Sequence, residues 1–276
     1  MATMVESIRD DILMLVASEQ LVLPTPPEIA MRVREVAESS ESSVTDLTAL
    51  ISRDPAIAAR IIRVTNSPLF RVSFPIQDLQ MAISRLGMNY TANLAIGLAM
   101  KQMFQATSEM IEERMQRNWQ ITSRVAAYAA VLAEGSGISP DEATLAALLH
   151  RIGVLPVLTY AEEHSNKNID GITLDKLSGH LHGQLGKMML EQWNFPASMC
   201  DVPANYRKLD NDSANVTHCD LVTAANLLMF AKGENYFGRA DWAALPVIER
   251  LGLPTDRNHP DIQEIHQRVA GASNIF

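Results

Sequence analysis

The chain lacks most of what anchored, disulfide-bonded or common hydrolytic proteins carry. It has two cysteines, Cys200 and Cys219, and they form no CxxC pair. Zinc ribbons and disulfide scaffolds therefore lose their ligands, and the two thiols read as reduced and partly buried. Continuous apolar runs are short. Residues 94–100 and 145–149 fall well below the roughly 18 residues that span a bilayer, so no membrane anchor is expected. The opening Met1-Ala2-Thr3-Met4-Val5-Glu6 has neither a basic start nor an apolar segment before a cleavage site, which makes the cytoplasm the expected location. Basic charge is in deficit: 23 Lys and Arg stand against 32 Asp and Glu, for a net charge of −9. That balance disfavours sequence-independent nucleic-acid binding, which relies on clustered cations displacing counterions. The pairs Arg32/Arg34 and Arg60/Arg63 read as solvated or salt-bridged arginines. No GxxxxGK[ST] loop, GxSxG elbow or HExxH helix occurs, which removes P-loop, serine-hydrolase and zincin chemistry.

What is present is helical. Apolar residues make up 47% of the chain, enough for a substantial core, and the fourteen methionines are most simply core filler. Val5, Ile8, Ile12 and Leu15 share one helical face, and after Pro24-Thr25-Pro26-Pro27 so do Ile29, Val33 and Val36. The serine-rich 39–43 stretch offers N-caps for a helix carrying Leu47, Leu50 and Ile51. Asp54-Pro55 pairs a capping acceptor with proline in the first turn, ahead of Ile57, Ala58, Ile61 and Ile62. That helix should stop near Asn66-Ser67-Pro68.

Asp78 caps a helix ending at Gly87, and another runs through Leu94 and Leu98. The charged 108–117 stretch marks a soft boundary, giving segments 1–112 and 113–276. Trp119 leads a long alanine-rich helix. Ser139-Pro140-Asp141-Glu142 reads as a capping box launching the helix to His150. Further helices are expected over 181–193, 197–206, 216–231, 241–250 and 260–269. No strand pattern or repeat competes, so the fold class is all-α.

Residues 54–67, DPAIAARIIRVTNS, together with 78–87, DLQMAISRLG, resemble the HDOD family, a bacterial signalling relative of HD phosphohydrolases. The resemblance continues through Leu148-Leu149-His150-Arg151-Ile152-Gly153, His182-Gly183-Gln184-Leu185-Gly186 and Trp193-Asn194-Phe195-Pro196, over roughly residues 16–230. It implies an N-terminal helical subdomain packed against an HD-like bundle. It does not imply catalysis, because family members look like output or scaffold modules with eroded metal sites.

HD hydrolases hold divalent metal with histidines and aspartates, and the metal makes water nucleophilic. Here the aspartate of the His-Asp pair is Arg151, a permanent cation without a lone pair to donate. Ile121, Thr122 and Ser123 stand where a first histidine is expected, Asn226 where a last aspartate is, and Pro203-Ala204-Asn205-Tyr206 lacks a histidine pair found in some relatives. His150 and His182 remain as the aligned imidazoles, read as hydrogen-bonded core or pocket histidines, and His180 belongs to another helix face.

The expected pocket is thus His150, Arg151, His182 and Asn226, without metal, cofactor or catalytic residue. Arg151 either pairs with an internal carboxylate or recruits a phosphate-bearing ligand. The leading expectation is a non-catalytic signalling or scaffold module with a protein partner. The alternative is a metal-dependent phosphohydrolase using His150, His182 and carboxylates such as Asp141 or Glu142. Ligand binding without turnover lies between them. Residues after about Gly233 either complete the bundle or cover the pocket, with packing around Trp242, Ile248 and Leu251 favoured.

Overall fold

Side-chain acceptors set just ahead of apolar runs start three of the N-terminal helices, as the computed structural model shows. The structure describes residues 4–21, 23–67, 70, 74–167, 169–233 and 235–270. Pro68 and Met1-Ala2-Thr3 lie outside them. Helices α1 (Met4–Ala17) and α2 (Glu28–Glu38) bury the expected stripes through Ile8, Ile12 and Val33. In α3 (Val44–Ile51) Ser43 forms a capping box with Asp46. Asp54 caps α4 (Pro55–Thr65) by accepting from the Ala56 and Ile57 amides at 3.0 and 3.1 Å.

Asn66 does more than end α4. Its amide donates to Ile62 O and Ile76 O, and its Oδ1 accepts from Ile76 N at 2.7 Å. The bonds bind the end of α4 to the segment before α5 (Leu79–Leu86), within the N-terminal half. Asp78 caps α5 through Met81 N. Gly87 then turns the chain into α6 (Met88–Met100) at φ 85°, ψ 159°, an extended positive-φ conformation open mainly to glycine.

Helix α7 (Glu109–Ala133) begins ten residues before Trp119, so positions 112 and 113 lie in its first turns. It packs on α8 (Pro140–Leu149), which also meets α6. The Ser139 capping box is not formed: its hydroxyl donates to Asp141, whose other oxygen accepts from Asn93, and Glu142 reaches His218. α8 and α9 (Val154–Glu163) form a stretch apolar and long enough to cross a membrane, but 89% of its apolar window is buried in the protein and a turn at 150–153 divides it. Helix α10 (Gly171–Gln192) packs on α9 and on the short α11 (Ala197–Cys200) and α12 (Val202–Asn205), while α13 (His218–Met229) packs on α7 and α8.

The two halves are clamped at the Trp193 block. Arg34 of α2 donates to Trp193 O and stands 5.2 Å over the Phe195 ring, and the Trp193 indole donates to Pro24 O. One apolar core runs through both halves.

The C-terminal segment completes the bundle. Helix α14 (Pro246–Arg250) packs on α13 and α15 (Pro260–Ala270) on α7, with Trp242 and Ile248 buried. Arg257 donates to three carbonyls, Ala231 O, Gly238 O and Ala240 O. Arg250 donates to Ser213 O and Asn211 O and pairs with Asp220 at 2.9 Å. Asp220 is 2% exposed, so removing its cation leaves a buried carboxylate held only by Thr217. Arg250→Ala should lower the unfolding free energy by about 3 kcal/mol, read as a lower urea midpoint at unchanged m-value.

Candidate functional site

His150 ends α8, and the turn His150-Arg151-Ile152-Gly153 brings the chain back along α10. The turn lies hard against that helix. A Cβ on Gly153 would stand 2.1 Å from His182 O and 2.3 Å from Gly186 N, and one on Gly186 would meet Pro203 at 2.9 Å. The glycines of the two motifs are thus the contact surfaces of one backbone crossing, and the crossing sets the histidines near each other.

Both imidazoles are buried, and their bonds fix their tautomers. His150 Nδ1 donates to Ala147 O at 2.5 Å and His182 Nδ1 donates to Ser178 O at 2.7 Å, because a carbonyl can only accept. Each ring presents its Nε2 lone pair. The Tyr206 hydroxyl donates to that of His182 at 2.9 Å, while His150 Nε2 is buried without a partner. Tyr206 is 1% exposed and its ring stands edge-on to both imidazoles, at centroid distances of 4.7 and 5.7 Å. Thr223 donates to its carbonyl and Phe237 stacks against its ring, fixing it between the histidines.

The charges acting on this pair are positive. Burial, then the Arg151 and His182 charges, hold His150 down at about 3, with only the Ala147 hydrogen bond opposing. Burial, then Arg151 and Arg207, hold His182 at about 4 against its backbone hydrogen bonds. Both are neutral at pH 7.

Arg151 donates through Nε to Asn118 Oδ1 at 2.6 Å and makes no ion pair among the described residues, so it does not find the expected internal carboxylate. Asn226 turns back on its own helix, donating to Val222 O at 2.8 Å. Thr122 likewise bonds backward, to Trp119 O. Asp141 is nine residues before His150 on α8, about 13 Å along the axis, and is occupied by Ser139 and Asn93. His180 is exposed while His182 is buried. Among the described residues no group of three or more His, Cys, Asp or Glu side chains converges. The site therefore brings together His150, Arg151 and His182. Sequence reading did not single out Tyr206 or Asn118 for it, although residues 203–206 mark where a relative carries different groups.

Comparisons with known proteins identify the family and the fold. The HDOD domain profile matches residues 23–209. A crystal structure from Shewanella amazonensis SB2B, of a protein described as a candidate metal-dependent phosphohydrolase, is 30% identical, with a TM-score of 0.85 and 98% of each chain covered. A candidate signal transduction protein from Marinobacter aquaeolei VT8 shares the fold at 22% identity and a TM-score of 0.63, over 94% of this chain and 61% of that one. An uncharacterized protein of Treponema pallidum (strain Nichols) is 25% identical over 188 residues, 63% of this chain, and the chain spans 35% of that protein's length. With its diagnostic blocks placed at the crossing, the caps and the clamp, and with more than half its length matched, the chain belongs to the HDOD family.

Proposed function

We propose that the protein is a non-catalytic signalling module that works in the cytoplasm through contacts with a protein partner. The observation that carries this is Tyr206, whose hydroxyl occupies the His182 lone pair between two neutral imidazoles. A hard divalent cation needs several converging oxygen or nitrogen donors and anionic charge to offset its own. The donor set around His150 has one free nitrogen and two arginines bearing on it, and it does not fit such a metal. The N-terminal helices, residues 1–112, present one surface to the partner and the bundle, residues 113–276, the other.

The second reading is a metal-dependent phosphohydrolase, favoured by the description of the Shewanella relative and by the free His150 Nε2. Affinity capture from the native host and a phosphodiesterase assay with added manganese separate the two. The expected result is a stoichiometric protein partner and no turnover above the His150→Ala variant. Robust turnover lost in that variant, with no partner recovered, reverses the reading.

A further inference from the structure

Arg60, which sequence reading treats as solvated or salt-bridged, is half-buried and makes no ion pair among the described residues. It lines a cavity of about 580 Å³ between α4, the end of α6 and α7, opposite Lys101 and Trp119. Neither Arg60 nor Lys101 makes an ion pair among the described residues, and Arg60 Nη1 is buried without a partner. The acids nearby are engaged elsewhere. Glu112, on the wall, accepts from Ala106 N and from Gln116, and Asp54 is taken by its helix cap and by Gln102. Burial and then Arg63 weigh against the charge on Arg60, and burial and then Arg60 weigh against that on Lys101. Two half-buried cations thus outnumber the one carboxylate on the wall, Glu112, which pairs with neither, an arrangement that an incoming anion relieves.

The same wall carries the margins of two largely buried rings, Trp119 and Phe104. Trp119 is 5% exposed, its indole N–H has no acceptor, and Phe104 lies 6.0 Å from its ring. Lys101 Nζ stands 5.7 Å over the indole. Cavities of this volume and mixed lining are the usual size for small-molecule sites. An anion for the cations, a flat ring for the aromatic wall and an acceptor for the indole are all present in one ligand class.

We infer that this cavity binds a nucleotide, its phosphate held by Arg60 and Lys101 and its base against Trp119 and Phe104. The inference goes beyond the partner-binding reading and concerns a cavity whose lining does not include His150, Arg151 or His182. The cavity takes its lining from α4, from α6 and the turn after it, and from α7.

The test is titration of the full chain with AMP and GMP, followed by tryptophan fluorescence and thermal shift, with inorganic phosphate and guanosine as separate arms. At least one nucleotide should bind saturably and raise the melting temperature, while phosphate and guanosine each bind at least tenfold more weakly. Arg60→Gln and Lys101→Gln should each weaken nucleotide binding tenfold or more while the ligand-free melting temperature holds. Trp119→Phe, which keeps the apolar packing, should weaken binding and remove most of the fluorescence change. The inference is overturned if neither nucleotide binds saturably, if phosphate alone binds as tightly, or if the two cation variants bind like the parent.

Discussion

Gly153→Ala should lower the unfolding free energy by about 4 kcal/mol, or leave too little folded protein to purify. The backbone at Gly153 is ordinary, with φ −68° and ψ 0°, so alanine meets no conformational penalty there. The cost is contact alone, since the new Cβ falls 2.1 Å from His182 O and 2.3 Å from Gly186 N. Neither atom can move without displacing α10. Gly179, on the same helix, has nothing within 4 Å of an added Cβ, and Gly179→Ala should instead stabilise by up to about 1 kcal/mol by improving helix propensity. Chemical denaturation of the pair separates the two cases. Equal effects would mean that the crossing is not the tight contact described.

Acid should unfold the protein through its two buried histidines, with a loss on the order of 5 kcal/mol between pH 6.5 and 4. The sign follows from linkage. In the unfolded chain each imidazole takes a proton below about pH 6.5, whereas in the folded protein protonation waits until about 3 for His150 and about 4 for His182. In that window the unfolded state binds more protons, so stability is full above about pH 6.5 and falls as pH drops, until the folded values are reached. Each histidine contributes a slope of up to about 1.4 kcal/mol per pH unit. His150→Gln and His182→Gln should each flatten the stability profile over this range, whatever they do to stability at pH 7. Profiles as steep as the parent's would show that other groups govern acid unfolding.

Features that a sequence carries locally were the legible ones. Asp54, Asp78 and the apolar stripe of α1 need only neighbours within a few residues, and they lie where the spacing predicts. Helix α10 begins ten residues earlier than expected, because Gly171, Gly179 and several polar residues dilute a stripe that still buries Leu174 and Leu177. The Ser139 capping box does not form because the Ser139 hydroxyl goes to Asp141, itself held by Asn93 from 48 residues away, and Glu142 is turned to His218, 76 residues on. Tyr206 is 24 residues from His182 and 56 from His150, and Arg60 shares a cavity with Lys101, 41 residues on. Such meetings are made by tertiary packing, and no periodicity reports them. The missing carboxylate at Arg151 was legible, but its partner was not: an amide, Asn118, takes the place of the expected acid.

A pocket unfit for metal is checked by elemental analysis of the full chain purified without chelator, before and after incubation with manganese and iron salts. Bound transition metal should stay far below one equivalent per chain, with no difference between the parent and His150→Ala. One or more equivalents retained through desalting by the parent and lost from His150→Ala would contradict it.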